Sequence, residues 1–144
     1  MKVIPTGFYR KIVDVIPILC VDVVIREKDR FLLVKRTNEP VKGRWWVPGG
    51  RVLKGETITT AVKRKMKEEL GVNVRPLEPL GYYENSFKKN EFGLESGIHT
   101  VSIVFLAELL SSKVKLDNQS SAWRFSKSLP RDFKVKPFGL EVNI

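Results

Sequence analysis

This chain has almost nothing with which to build sulfur or imidazole chemistry. Its 144 residues include one cysteine, Cys20, and one histidine, His99. A single cysteine excludes an intramolecular disulfide. Cys20 lies in an apolar segment, where a thiol is expected to be buried and inert. A lone histidine opening an apolar run is more often structural than catalytic. Long hydrophobic runs are lacking too. The best one, residues 12–25, is cut by Asp14, Pro17 and Asp22, so no membrane span and no membrane partner are expected. The N-terminus lacks the apolar core and cleavage pattern of a signal peptide, which points to a cytoplasmic protein. No internal repeat or low-complexity segment is visible.

Acidic residues are in short supply. Sixteen Asp and Glu face 26 Lys and Arg, a net charge of +10 that invites a nucleic-acid reading. The basic residues are scattered, however, with only a mild concentration in residues 113–136. There is no arginine-rich tract and no interleaved aromatic platform, so nucleic acid is not the expected partner. A basic cleft would equally attract a small nucleotide. The length suits one domain, residues 1–144, with a sizeable core.

The apolar pattern gives an α/β reading. Strands are expected at 13–26 and 31–35, joined by the charged turn 27–30, with a short strand at 45–47. A helix is expected over 57–70, and further strands at 80–84, 99–109 and 122–125. The polar loop 85–97 carries Gly93 and Gly97 and is long enough to cover a substrate. Residues 126–144 contain Pro130 and Pro137, and no full helix is assigned there.

The most informative stretch is GRVLKGETITTAVKRKMKEELGV, residues 50–72. Gly50, Glu56, Arg64, Glu68, Glu69 and Gly71 stand in it as G-x5-E-x7-R-x-x-x-E-E-x-G. Pro48, Gly49 and Gly50 break the preceding strand and allow the backbone to approach a ligand. Thr57 can cap the helix, with Thr60 in its first turn. Ile58, Val62, Met66 and Leu70 recur every four residues as one apolar stripe. Gly71 suits the left-handed position that ends a helix. Glu68 and Glu69 project from the last turn, the unfavourable end of the helix dipole for negative charge. A bound divalent cation would compensate, and Mg²⁺ prefers such hard oxygen ligands together with phosphates. Taken alone, this pair would be a solvated acidic surface.

The spacing resembles the Nudix box, the signature of hydrolases that cleave nucleoside diphosphates linked to another group. The resemblance implies a mixed β-sheet sandwiched between α-helices, a small-molecule nucleotide substrate, and Mg²⁺ or Mn²⁺ as cofactor. One position departs. The family has a Glu after the Arg, and here it is Lys65. A protonated lysine cannot ligate a cation.

Residues 35–57, KRTNEPVKGRWWVPGGRVLKGET, are similar to the GDP-mannose mannosyl hydrolase branch, which also lacks that Glu. Members of this branch attack the sugar carbon rather than phosphorus. The similarity extends upstream over residues 8–25 and more thinly over 99–109 and 116–125. It implies Asp22 near the sugar, and Arg36 and Arg51 on the departing diphosphate. It also implies Gly49 as a carbonyl ligand of the metal, Glu69 as its carboxylate ligand, and Gln119 close by. Glu68 would add a further metal ligand, while Glu56 and Arg64 belong to the catalytic box. The branch has a histidine as base where this chain has Ser120, and a phosphate-binding tyrosine where it has Thr100. The base is therefore sought elsewhere, among Glu84, Glu91, Glu95 and His99. The branch dimerises through its N-terminal region, so the apolar stretch 8–17 would form a homodimer contact. Trp45 or Trp46 could stack on a base or sugar, or simply pack in the core.

Each residue also has a plain reading. Asp22 could be an edge-strand charge, Arg36 one more surface arginine, and Gln119 a solvated loop residue. The expected activity is a metal-dependent hydrolase of nucleoside diphosphate sugars, with GDP-mannose-like substrates favoured. The alternatives are a nucleoside di- or triphosphate pyrophosphohydrolase acting at phosphorus, and a nucleotide-binding module that has lost catalysis, which Lys65 and Ser120 would favour.

Overall fold

The structure is a computed structural model describing residues 4–39, 41–111 and 113–139. Its elements run α1 (Thr6–Val15), β1 (Ile18–Glu27), β2 (Arg30–Arg36), β3 (Trp45–Trp46), β4 (Gly49–Arg51), α2 (Ile58–Leu70), β5 (Val74–Phe87), β6 (Ile98–Leu109) and β7 (Ser120–Ser126). The strands form one seven-stranded mixed sheet along the path β3-β2-β1-β6-β5. β4 adds to β1 and β7 adds to β2. Among the described residues only the β1–β6 pairing, in the centre, is parallel.

Strand alternation sets the two faces of the sheet. On β1 the odd residues Val21, Val23 and Ile25 point to α2, whose Ala61, Val62, Met66 and Leu70 are fully buried against them. Each such aliphatic side chain contributes about 1.5–3 kcal/mol by leaving water. The even residues face the other way. There Val24, Leu33, Tyr83 and Val104 pack beneath Trp46, Leu129 and Phe133. Farther along the same face, Ile18 and Ile98 pack with Val13 and Tyr9 of α1. The sheet thus lies between α2 and α1, as the resemblance to the Nudix box implies.

The box helix forms as its spacing predicts. Thr57 Oγ1 accepts from the Thr60 backbone N–H at 3.2 Å, and Gly71 closes the helix at φ 66°. Two expectations need correction. Residues 13–15 belong to α1 rather than to the first strand, which begins only at Ile18. Tyr9 and Val13 are one helical turn apart and bury together, and Pro17 forces Ile16 into extended backbone. The strand expected at 80–84 is instead fourteen residues long. Pro76 and Pro79 do not break it, because β5 ends the sheet path and its register shifts between Pro76 and Glu78 and between Pro79 and Gly81.

The strand before the box ends at Trp46, as expected, and Gly49 and Gly50 open a new one. Gly49–Arg51 pairs antiparallel with Cys20, Val21 and Asp22. A Cβ on Gly49 would overlap Asp22 Oδ1 and the Val21 carbonyl, so only glycine allows this approach.

Candidate active site

The box residues assemble first as a brace. Arg64 donates through Nε and Nη2 to the two carboxylate oxygens of Glu56, at 2.5 and 2.8 Å. It also donates to the Arg51 carbonyl at 2.9 Å and to Glu68 Oε2 at 3.1 Å. Glu56 accepts from the Leu53 backbone N–H at 2.8 Å. The loop after β4 is thereby clamped onto α2, which fixes Arg51 relative to Glu68 and Glu69. Hydrogen bonding from Arg64 holds the Glu56 carboxyl below the usual range, and Glu56 in turn raises Arg64.

Beside this brace lies a cavity of about 600 Å³, open at the end of the sheet face that α1 partly covers. Its wall contains Asp22, Arg36, Gly49, Arg51, Arg64, Glu68 and Gln119. Residues scattered from 22 to 119 are thus brought to one place. Glu56 and Glu69 stand behind that wall; Glu69 is only 3% exposed.

Asp22 faces the cavity beside buried Ser102. Burial pushes its carboxyl up to about 7; the Ser102 hydrogen bond opposes this, Glu69 adds to it, and Arg36 opposes it. It lies on the central strand, so the edge-charge reading fails. Burial raises Glu69 as well, against the nearby Lys65 ammonium. Lys65 Nζ is 3.1 Å from Glu69 Oε1 and 3.6 Å from Glu68 Oε2. Lys65 is therefore the partner of the buried Glu69 Oε1, which has no second one among the described residues. Gln119 is placed by its loop: its backbone N–H donates to Asp117 Oδ1 at 2.9 Å, and its carbonyl accepts from Thr37 N–H at 3.0 Å. The Asp117 N–H donates to the Glu69 carbonyl at 3.0 Å, tying that loop to the end of α2.

The base candidates separate. Glu91 lies in the cavity wall. His99 is exposed and borders a different, smaller cavity of about 380 Å³ beside Asp14. Strand alternation puts Thr100, not its neighbour His99, on the site face. Glu84 is exposed, and its neighbour Asn85 takes the inward place. Glu95 is exposed and stands outside this wall. Ser120 is buried in the β2–β7 ladder opposite Arg36.

Other residues complete the site beyond the sequence reading. The Arg51 guanidinium stacks 4.4 Å from the Tyr9 ring centroid, so α1 helps hold it. Trp46 lines the cavity while packing on Phe133, and its Nε1 donates to the Tyr83 hydroxyl at 3.3 Å. Trp45 lies under Arg124, 4.2 Å from ring centroid to guanidinium. Cys20 is half-buried in the cavity wall rather than in the core. Burial pushes its thiol up to about 12, which disfavours the thiolate. Tyr9 and Ser102 carry no motif; only the helix assignment of residues 6–15 and the β1–β6 register bring them here.

A metal fits these residues in part. Among the described residues, no three His, Cys, Asp or Glu side chains converge as a ready-made cage. The donors on hand are hard oxygens, and the buried Glu69 Oε1 is the kind of atom that pairs with a cation, here the Lys65 ammonium. Mg²⁺ commonly uses one or two carboxylates and completes its shell with water and substrate phosphates.

Comparison with known proteins agrees with this geometry. The NUDIX domain model matches residues 17–132. The chain is 39% identical over 119 residues to the low-salt glycan biosynthesis protein Agl8 of Haloferax volcanii, covering 82% of this chain and 76% of that protein. It is 35% identical over 109 residues to an ADP-ribose pyrophosphatase of Methanocaldococcus jannaschii, covering 76% of this chain and 61% of that one. A crystal structure of a MutT NUDIX hydrolase from Burkholderia pseudomallei superposes with a TM-score of 0.68 at 28% identity, over 81% of this chain and 88% of that chain. With the box intact in spacing and the fold matched over most of its length, this chain belongs to the Nudix hydrolase family.

Proposed function

We propose that this Nudix hydrolase cleaves nucleoside diphosphate sugars, with GDP-mannose-like substrates favoured and water attacking the anomeric carbon. The observation that carries this reading is Lys65, which stands where the family's Glu would assist attack at phosphorus. The similarity of residues 8–57 to the mannosyl hydrolase branch supports it, as does a relative whose name places it in glycan biosynthesis.

Arg36 and Arg51 line the cavity, where they would bind the diphosphate and stabilise charge on the leaving group. Asp22, on the cavity floor, would orient the sugar. Asp22 and Glu91 are the carboxyl groups of that wall besides Glu68, and they are the candidates to take the proton of the attacking water. Glu56 and Arg64 act through position, by holding Arg51 and Glu68. Gly49, Glu69 and Glu68 would hold Mg²⁺ or Mn²⁺, with Gln119 alongside. Bound there, the metal would neutralise phosphate charge. A homodimer would use α1 and the residue after it, where Phe8, Val15 and Ile16 are exposed.

The ADP-ribose pyrophosphatase relative favours a second reading, attack at phosphorus on a related nucleotide. Hydrolysis of GDP-mannose and its analogues in heavy-oxygen water separates the two. Label in the released sugar is the expected result. Label in a phosphate product would establish the second reading. Absence of turnover on every nucleoside diphosphate sugar would point to another nucleotide or to a binding module.

A further inference from the structure

The Lys65 side chain is not a surface lysine that happens to fall in the box. Its stem leaves α2 and crosses β4 directly over Gly50, where a Cβ would overlap Lys65 Cε. The glycine thus makes room for the lysine. The ammonium then ends between the two box carboxylates, 3.1 Å from Glu69 Oε1 and 3.6 Å from Glu68 Oε2. The Lys65 and Glu69 side chains are 10% and 5% exposed, whereas Glu68 is 46% exposed. Lys65 belongs to the cavity wall and Glu69 does not, so the ammonium screens the buried carboxylate from the substrate space.

We propose that the Lys65 ammonium is a resident cation of this active site, seated against Glu69 where a divalent ion would otherwise lie. This rests on the reading of Glu69 as the metal's carboxylate. A buried carboxylate at the C-terminal end of a helix needs a compensating positive charge. In this chain the compensating charge comes from a side chain of the same helix, one turn away. It is also close, with Nζ 3.1 Å from Glu69 Oε1 and both side chains almost fully buried. A divalent ion reaching Glu69 must displace the ammonium or share the carboxylate with it. Two consequences follow. The metal-free protein keeps Glu69 in place, and the site binds divalent ions more weakly than the same site without the lysine.

The test uses the full chain and Mn²⁺ alone as probe, followed by electron paramagnetic resonance, together with thermal melts in EDTA. Lys65→Met keeps the length of the side chain and removes its charge. It is expected to bind Mn²⁺ about tenfold or more tightly than the wild type, since two cations a few ångströms apart repel strongly in a partly buried site. In EDTA it should melt below the wild type, and Mn²⁺ should raise its melting temperature more than that of the wild type. The double variant Lys65→Met, Glu69→Gln carries neither charge of this pair. It should recover the melting temperature in EDTA and lose the tighter Mn²⁺ binding. Equal Mn²⁺ affinity in the wild type and Lys65→Met would overturn the proposal, as would a melting temperature of Lys65→Met that Mn²⁺ raises no more than that of the wild type. The wild-type titration separately decides the metal reading. Binding to Lys65→Met but not to the wild type would support the resident cation and remove the metal from the natural site.

Discussion

Substituting Glu56→Gln removes one charge from the brace without changing its shape. The Glu56 and Arg64 side chains keep 12% and 16% of their surface exposed, so the pair lies between two limits. A fully exposed pair is worth about 0.5 kcal/mol, while breaking a buried one costs about 3–5 kcal/mol. Arg64 retains the Arg51 carbonyl and half-exposed Glu68, which lowers the cost. We expect a loss of about 2 kcal/mol, or about 5 °C in melting temperature for a chain of this size. The pH dependence is specific. Glu56 has a depressed carboxyl in the folded state. Its contribution is present above the unfolded value near 4.5 and is lost as pH falls through the lower folded value. The gap between wild type and variant should therefore close on acidification below about pH 4.5. Melts across that range, read by circular dichroism, check this. A gap under about 1 °C at neutral pH, or one that does not narrow in acid, would refute the reasoning.

Two further outcomes follow from the site. Asp22, raised by burial to about 7 from 3.8, holds its proton longer when folded, so its contribution is present below 3.8 and lost as pH rises through about 7. In EDTA, Asp22→Asn should gain on the wild type in stability at pH 8 but not at pH 4, and parallel pH profiles in chemical denaturation would contradict this. Gly49→Ala places a methyl against the Val21 carbonyl and Asp22 Oδ1, where backbone cannot yield, and should cost about 3 kcal/mol or more in urea melts; unaltered stability would show that β4 can move away.

Much of the fold was legible because it depends on local period. The four-residue stripe from Ile58 to Leu70 fixed the face of α2, and Thr57 and Gly71 set its ends. The sequence pattern starts the first strand too early because residues 12–16 read as apolar under either period. What decides there is Pro17, which ends α1 one residue after its cap. β5 was drawn too short because prolines count against a strand in sequence, whereas position at the edge of a sheet is a property of the whole topology.

The site was legible to the extent that its chemistry is tied to spacing. Glu56, Arg64, Glu68 and Glu69 stand on one helix and its entry loop, so their mutual geometry follows from the turn of that helix. Asp22, Arg36 and Gln119 came from similarity alone, and the register of β1, β2 and β7 is what brings them together. Lys65 marks where spacing stops being informative. In sequence it is a missing ligand, and the natural inference is loss of function. In three dimensions its stem lies in the groove that Gly50 leaves, and its charge stands against the carboxylate that the missing ligand would have joined. Helical periodicity placed Lys65 one turn from Glu69 but not the direction of its side chain, because that direction depends on a glycine fifteen residues earlier, on another element. The substitution therefore reads as an exchange of an anion for a cation within a site whose remaining acidic partners are kept. Such an exchange changes what neutralises Glu69 without dismantling the Glu56–Arg64–Glu68 brace around it.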